Sequence, residues 1–543
     1  MSCQEESAVL DTAHLGDIQG ALGTIRRHDL GARRTTRERL RTLLAVLGPG
    51  LIVMVGDNDA GAFSTYAEMG QNYGTTLLWT LALLIPVLYV NQEMVLRLGA
   101  VTRVGHARLI LERFGKFWGA FSVIDLFLLN GLTIVTEFIG ISLGMEYLGV
   151  SRPLGVAIAA VCIIAAASTG SFRRFEQFSL VLVLGSLLLI PLFILVHPPL
   201  HQVMHDLLVV QMPAHARLSD VMLLIIGIVG TTIAPWQLFF QQSFVIDKRI
   251  TPRFIPYERL DLWLGILLVL IGAIAITACV AYAFAGTPEA GHFVDAASVA
   301  HGLARHQGHW PGVLFAIALI DASIIGASAV SLSTAYALGD VLALRHSLHR
   351  RPTEAKGFYA VYMALIGVAA ALVLIPGMPL GLLTNAVQTL AGILLPSASV
   401  FLLLLCNDKD VLGPWVNSRA TNVFTAAVVS ILLVLSVILT ASVLFPDLSE
   451  AAIVDILVAG AGLAVSVLMG QVVLQWRQPQ AVPSAAGPVS AEERMAWSMP
   501  ALDQLRPVLM SSTARLWMAA LRGYLLIAVI MVVYKVVHLA WLA

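Results

Sequence analysis

The chain has 543 residues, 58% of them hydrophobic and 12% charged, and its 33 basic and 33 acidic side chains cancel to zero net charge. A soluble domain carries about 25% charged residues, so the composition excludes a water-soluble globular protein and gives no basic surface for nucleic acid. The charges that remain are bunched between long apolar runs, the pattern of a chain whose main partner is a lipid bilayer.

Residues 1–41 are polar and hold Arg26, Arg27, Arg33, Arg34, Arg37, Arg39 and Arg41, so they read as a cytoplasmic segment and not a secretory signal. From there on, runs of roughly 20 apolar residues, the length that crosses the hydrocarbon core, recur to the C-terminus. They fall near 44–66, 75–98, 117–148, 153–170, 175–196, 219–246, 260–286, 311–344, 357–376, 380–405, 421–445 and 451–475. A last run, 516–541, carries Arg522 and Lys535 and fits a span or a helix lying along the interface. Alternate loops are basic: Arg103, Arg108, Arg113 and Lys116 follow the second run, and Arg173 and Arg174 the fourth. Lys248, Arg249, Arg253 and Arg259 follow the sixth, and Arg345, Arg350, Arg351 and Lys356 the eighth. The positive-inside rule then puts the N-terminus in the cytoplasm of a multi-pass plasma (inner) membrane protein. Cys162, Cys279 and Cys406 lie in apolar runs, no Cys-x-x-Cys occurs, and they read as small buried side chains.

Two runs break in the middle. The first reads GPGLIVMVGDNDAGAFSTYAEMG, with Gly56-Asp57-Asn58-Asp59-Ala60-Gly61 halfway along; the sixth reads MLLIIGIVGTTIAPWQLFFQQSF, with Gly230-Thr231-Thr232-Ile233-Ala234-Pro235. Their positions in the count make them run in opposite senses. A matched pair of Gly/Pro-interrupted segments in two inverted halves marks the midplane site of a secondary transporter. Pro235 removes a backbone donor and frees a carbonyl one turn back, while Gly56 and Gly61 permit unwinding. Freed carbonyls must be buried in protein or line a wet cavity. With Asp59 they form a cation cradle. Asp57 lies two residues away, so both acids reach one ion only where the backbone is unwound. A kinked helix with packing glycines accounts for either break alone, but not for the carboxylate and the pairing together.

The stretch from Gly48-Pro49-Gly50 to Leu77-Leu78-Trp79 resembles the first helix of the NRAMP family of divalent metal transporters, with its Gly-Pro start, Asp-Pro-Gly-Asn break and Leu-Leu-Trp. The family's Asp falls on Asp59, its Pro on Ala60, its Gly on Gly61 and its Asn on Ala62. The sixth run is similar to the family's Met-Pro-His helix, with Ala234, Pro235 and Trp236 at those positions, and Gln388 with Leu395-Pro396 is similar to its Ser-Gln…Leu-Pro segment. The resemblance covers roughly residues 40–410. It implies an all-α LeuT-type fold of two inverted five-helix repeats in residues 42–410, with one to three extra helices and a cytoplasmic loop in 411–543.

The departures from the family are informative. NRAMP proteins carry Mn2+ or Fe2+ with a proton, on the Asp, the Asn and the Met sulfur, and a thioether favours transition metals over Mg2+. Ala62 and Ala234 remove two of those ligands and leave room for a hydrated ion, which matches the NRAMP-related magnesium transporters. The family's two His positions are Trp236 and Gln241, an acid of the third helix is replaced by Ile134 although Glu137 remains, and 358–375 lacks the family's arginines. The resemblance therefore implies a Mg2+/Mn2+ transporter or facilitator without proton coupling. Asp59 is its principal ligand, carbonyls near Gly56, Thr231 or Ile233 contribute, Ala62 and Ala234 set the space, and Gln237 and Gln388 are polar walls. A proton-coupled Mn2+/Fe2+ symporter and an amino-acid transporter of the same fold are the alternatives, with a non-transporting sensor behind them. Glu137 reads as an acid paired with a nearby hydroxyl or part of the ion path. Asp125, Asp321 and Asp340 read as structurally paired, and Glu93 with Arg97 as an i,i+4 ion pair. Neither a resident cofactor nor an enzyme motif is found: no Walker loop, no Ser-His-Asp set and no His-Glu-x-x-His.

Overall fold

The computed structural model describes residues 9–29, 31–214, 216–377, 380–445, 449–477, 490–506, 508 and 510–542. A short hairpin, β1 (Ile18–Gly20) and β2 (Gly23–Ile25), leads to α1 (Thr36–Val46), and the first apolar run is then two helices, α2 (Pro49–Val55) and α3 (Ala60–Tyr73). Next come α4 (Trp79–Thr102), α5 (His106–Phe114), α6 (Lys116–Tyr147) and α7 (Arg152–Ala167). α8 (Phe172–Gly185) and α9 (Leu189–Val196) form the fifth run, followed by the short α10 (Leu200–Leu208). The sixth run is again divided, into α11 (Leu218–Thr232) and α12 (Pro235–Asp247). α13 (Ile255–Phe284), α14 (Ala296–Gln307), α15 (His309–Val341), α16 (Lys356–Val373) and α17 (Leu380–Leu405) complete the core. α18 (Lys409–Leu412), α19 (Arg419–Leu444), α20 (Glu450–Arg477), α21 (Ala491–Ala496) and α22 (Ser512–Leu542) follow it.

Every apolar run read from the sequence is a helix or a pair of helices. Among the described residues, nine stretches are long and apolar enough to cross a membrane unaided. Two runs fall short for local reasons: the first is cut into α2 and α3, and α7 has only 16 residues. α2 packs on α12 and α3 on α11, so the two divided segments lie side by side and antiparallel. Around them stand α6, α7, α15 and α16, with α6 and α15 in extended mutual contact, and α13 lies across both α2 and α3. This is the LeuT-type arrangement expected from the resemblance.

Each divided segment is tied down at the end that carries the N-terminal hairpin. Gly48 adopts φ +151, a backbone that favours glycine, and Pro49 opens α2 at its first turn. The orphan N–H groups of that turn are capped from another helix: Asp261 of α13 accepts from Gly48 (3.1 Å), Gly50 (2.7 Å) and Leu51 (3.3 Å). Beyond the last residue of α12, Lys248 donates to Glu176 of α8 at 2.6 Å and to the Val46 and Leu47 carbonyls at 2.5 and 2.8 Å. Lys248 and Glu176 are both fully buried, and the second Glu176 oxygen accepts the Ala21 N–H of the hairpin turn.

The N-terminal segment, read as merely polar, is folded onto this end. Asp11 pairs with Arg350, Arg249 donates to the Ala13 and Asp17 carbonyls, and Asp247 accepts from Tyr336, Ser347 and Leu348. His14 is buried, which holds it neutral, and its Nε2 lies 3.0 Å from the His346 carbonyl. Burial opposes a charge on His346, but Asp340 at 2.9 Å and the Leu344 carbonyl outweigh it and raise its pKa to about 9.

Removing one partner of a buried ion pair strands the other, at about 3–5 kcal/mol. Lys248→Met is therefore expected to lower the thermal unfolding temperature sharply, and adding Glu176→Leu to recover much of the loss. Because the folded pKa of His346 lies above its unfolded value, its contribution is full below about 6.5 and is lost as pH rises through about 9. A nitroxide on Gln19→Cys is expected to gain mobility between pH 8 and 10, and His346→Gln to abolish that transition.

Candidate functional site

The first break starts where Gly56 ends α2, its N–H still bonded to the Ile52 carbonyl. Asp57 and Asn58 make one tighter turn, their N–H groups reaching the Met54 and Val55 carbonyls at 3.2 Å, and Asp59 is then extended (φ −68, ψ −178). Among the described residues, no hydrogen bond reaches the carbonyls of Gly56, Asp57 or Asn58. In the second break Ile233 (φ −127, ψ 71) and Ala234 (φ −83, ψ 142) leave the helix, and Pro235 opens α12. Thr231 lies four residues before Pro235 and so loses its helical donor, as the sequence implied. The Gln237 N–H bonds to Ala234 and leaves the Ile233 carbonyl free.

The two breaks bring three acids together. Asp59 caps α3, its Oδ1 accepting the Ala62 N–H at 2.9 Å. Ala62 thus offers the site a backbone donor and a methyl group, and Ala234 a methyl group only. Glu137, from the middle of α6, accepts the Ala60 N–H at 3.1 Å and lies with Asp59 against Gly326 of α15. Its hydrogen-bond partner is therefore a helix N-terminus, not the hydroxyl the sequence suggested. Asp57 accepts from Gln237 Nε2 on α12, while Gln237 Oε1 accepts from Gln92 Nε2 on α4 at 2.9 Å. Asn58 leaves the site altogether, donating to the Val269 carbonyl of α13 at 3.1 Å.

Charge and access complete the picture. Asp57, Asp59 and Glu137 are 1%, 3% and 0% exposed. No ion pair among the described residues includes any of them. Among the described residues, Asp57 Oδ2, Glu137 Oε1 and Thr231 Oγ1 find no hydrogen-bond partner. Tyr66 of α3 meets Thr232 of α11 at 3.0 Å, and Thr232 donates its own hydroxyl to the Ile228 carbonyl at 2.6 Å. Gly326 of α15 makes the approach possible, since a Cβ there would stand 2.8 Å from the Glu137 carboxyl and 3.0 Å from Asp59 Cβ.

Seven of the eight positions singled out by sequence, Gly56, Asp59, Ala62, Thr231, Ile233, Ala234 and Gln237, are buried in or beside the two breaks. The eighth, Gln388, is on α17, and its side chain lies outside the described residues. Sequence reasoning missed Gln92 and the depth of Glu137 in the site. The signal for the first was Asn91-Gln92-Glu93, three polar residues inside an apolar run. Of the remaining acids, Asp125 accepts from Ser397 at 2.9 Å and Asp340 pairs with His346. Asp321 departs from expectation: its Oδ2 has no partner. Glu93 does pair with Arg97, at 3.2 Å, and also with Arg259 at 2.6 Å.

Residues 50–442 match the model of the natural resistance-associated macrophage protein-like family. A divalent metal cation transporter MntH of Ralstonia nicotianae is 30% identical over 403 residues, 70% of this chain and 87% of the relative. MntH 1 of Pseudomonas aeruginosa is 28% identical over 398 residues, 70% of this chain and 87% of the relative. A crystal structure of the Eremococcus coleocola manganese transporter, in complex with an aromatic bis-isothiourea substituted compound, superposes with a TM-score of 0.61 at 20% identity, over 84% of this chain and 97% of the other. That likeness establishes the fold.

The close fit at Gly326 is directly testable. Gly326→Val would overpack the contact with Glu137 and Asp59, at about 1–3 kcal/mol. Its thermal unfolding temperature is expected to fall below that of the milder Gly326→Ala.

Proposed function

The chain belongs to the natural resistance-associated macrophage protein-like (NRAMP) family, and from that premise we propose that it is a divalent metal cation transporter passing Mg2+ as well as Mn2+ without obligatory proton coupling. The observation that carries this reading is Ala234. The resemblance puts a thioether ligand at that position, and the chain has a methyl group instead. What the breaks retain is oxygen: the Asp59 carboxylate and the freed carbonyls of Gly56, Thr231 and Ile233. Hard cations select oxygen ligands, and Mg2+ keeps several of its waters. The space left at Ala62 and Ala234 suits such a partly hydrated ion, with Gln237 and Gln388 as polar walls.

Absence of coupling is supported by Trp236 and Gln241 at the family's histidine positions, by Ile134 and by the lack of arginine in 358–375. A dication would then enter down the membrane potential, worth about 4.6 kcal/mol per 100 mV for two charges. One observation favours the alternative, a proton-coupled Mn2+/Fe2+ symporter: Glu137, a second titratable acid, is buried beside Asp59 against Gly326. An amino-acid substrate is disfavoured, because Asp59 already holds the helix N-terminus at which a substrate carboxylate would sit.

In this reading 1–41 is cytoplasmic and the protein resides in the plasma (inner) membrane. Residues 42–410 form the transporter core, and 411–543 add C-terminal transmembrane helices with a cytoplasmic loop. α2, α3, α11 and α12 rock against α6, α7, α15 and α16.

Flux into proteoliposomes tests the proposal, with Mg2+ and Mn2+ compared and internal pH followed. Saturable uptake of both ions without acidification is expected, and Asp59→Ala is expected to abolish it. Ala234→Met should cut Mg2+ flux at least tenfold while sparing Mn2+. Acidification in step with Mn2+ entry would favour the symporter, and failure of Mg2+ to compete would remove the selectivity claim.

A further inference from the structure

We propose that Asp57 is a second carboxylate of the cation site, held in place by the Gln237 and Gln92 amides, so that the two breaks present two negative charges to one dication. The assignment rests on the reading of the breaks as a divalent-cation site and deepens it. Nothing in the family motif points to Asp57, which stands two residues before the aspartate that the resemblance identifies.

Geometry makes the first argument. Two residues apart on a continuous helix, Asp57 and Asp59 would point to different faces. The tight turn at Asp57–Asn58 and the extended Asp59 remove that constraint. The Asp57 carboxylate accepts from Gln237 Nε2, which also lies 3.4 Å from the Thr232 carbonyl, so the carboxylate stands against the break of the opposite segment. Tyr66 of α3 is bonded to Thr232 of the same opposite segment.

Hydrogen-bond accounting makes the second. Gln92 Nε2 donates to Gln237 Oε1, and Gln237 Nε2 donates to Asp57 Oδ1. This chain of amides orients one carboxylate oxygen and stops. Among the described residues, Asp57 Oδ2 and Gln92 Oε1 are both buried acceptors without a donor, on side chains 1% and 0% exposed. Buried polar groups are almost always satisfied, so unmatched acceptors of this kind mark a place for a cation or its bound water. A purely structural acid would have a basic partner, and no ion pair among the described residues involves Asp57.

The consequence is charge selectivity. A dication neutralises Asp57 and Asp59 together, whereas a monovalent ion leaves one carboxylate uncompensated in a low-dielectric interior. Because Gln92 belongs to α4, the second carboxylate also links the ion to a helix outside the two divided segments.

The test is calorimetric titration of the purified full chain with Mn2+ and with Mg2+, alongside thermal unfolding as a check on folding. Asp57→Asn keeps the shape and the Gln237 contact but removes the charge. It is expected to weaken the Kd for both metals at least tenfold. Gln92→Leu releases Gln237 and is expected to weaken it about threefold. A folded Asp57→Asn protein with the parent Kd, beside an Asp59→Asn protein that no longer binds, would overturn the assignment. Should Asp57→Asn fail to fold, an unchanged Kd in Gln92→Leu would overturn it equally. Absence of binding by the parent would instead remove the premise, the divalent-cation site itself.

Discussion

An ionised carboxylate in the middle of a bilayer must be compensated, and among the described residues no basic side chain pairs with Asp57, Asp59 or Glu137. The cost of leaving such a charge bare is several kcal/mol or more. Partial compensation comes from N–H donors: Ala62 to Asp59, Ala60 to Glu137 and Gln237 to Asp57. Two of these belong to the first turn of α3, whose dipole favours negative charge. In the proposed reading the remainder is left for a mobile cation. A helix that ran unbroken through Asp59 would offer neither the N-terminus nor the free carbonyls, so the unwinding is the condition for holding the charge at all.

The surroundings serve that condition. Freed backbone groups are tolerated only inside protein, and α13, α6 and α15 pack around the first break to provide it. The outer ends are fixed by polar contacts that cross between helices, Asp261 on the start of α2 and Glu176 on Lys248 after α12. The N-terminal segment and the 342–355 loop are laced to the same end through Asp11, Arg350, His346 and Asp340. Motion of α2 or α12 relative to the frame must therefore break or carry along a defined set of buried contacts. The middle of each segment is unwound and its end is anchored, an arrangement that suits the proposed rocking of the two segments.

The fold and most of the site were legible in the sequence because both rest on local signals. Apolar run length sets the spans, and Pro235, Gly56 and Gly61 mark where two of them fail. What stayed hidden depends on partners far along the chain. Nothing near Glu137 announces that the Ala60 N–H and Asp59 will face it, and nothing near Gln92 announces Gln237. The hairpin at 18–25 has strands of three residues, too short for an alternating pattern, and it exists because Glu176 and Ala45 receive it. Asp261 on Gly48 and Gly50 is invisible for the same reason. Asp321 breaks the rule that an intramembrane acid finds a partner, and no local signal distinguishes it from Asp125 or Asp340, which obey it.

In the proposed reading one dication sits between the broken segments beside Asp59. Anomalous X-ray diffraction from crystals of the protein soaked in Mn2+ would locate it. A single anomalous peak is expected within bonding distance of the Asp59 carboxylate and facing the Thr231–Ile233 carbonyls, absent from Asp59→Ala crystals. A peak elsewhere in the core, or one that survives the loss of Asp59, would contradict that reading.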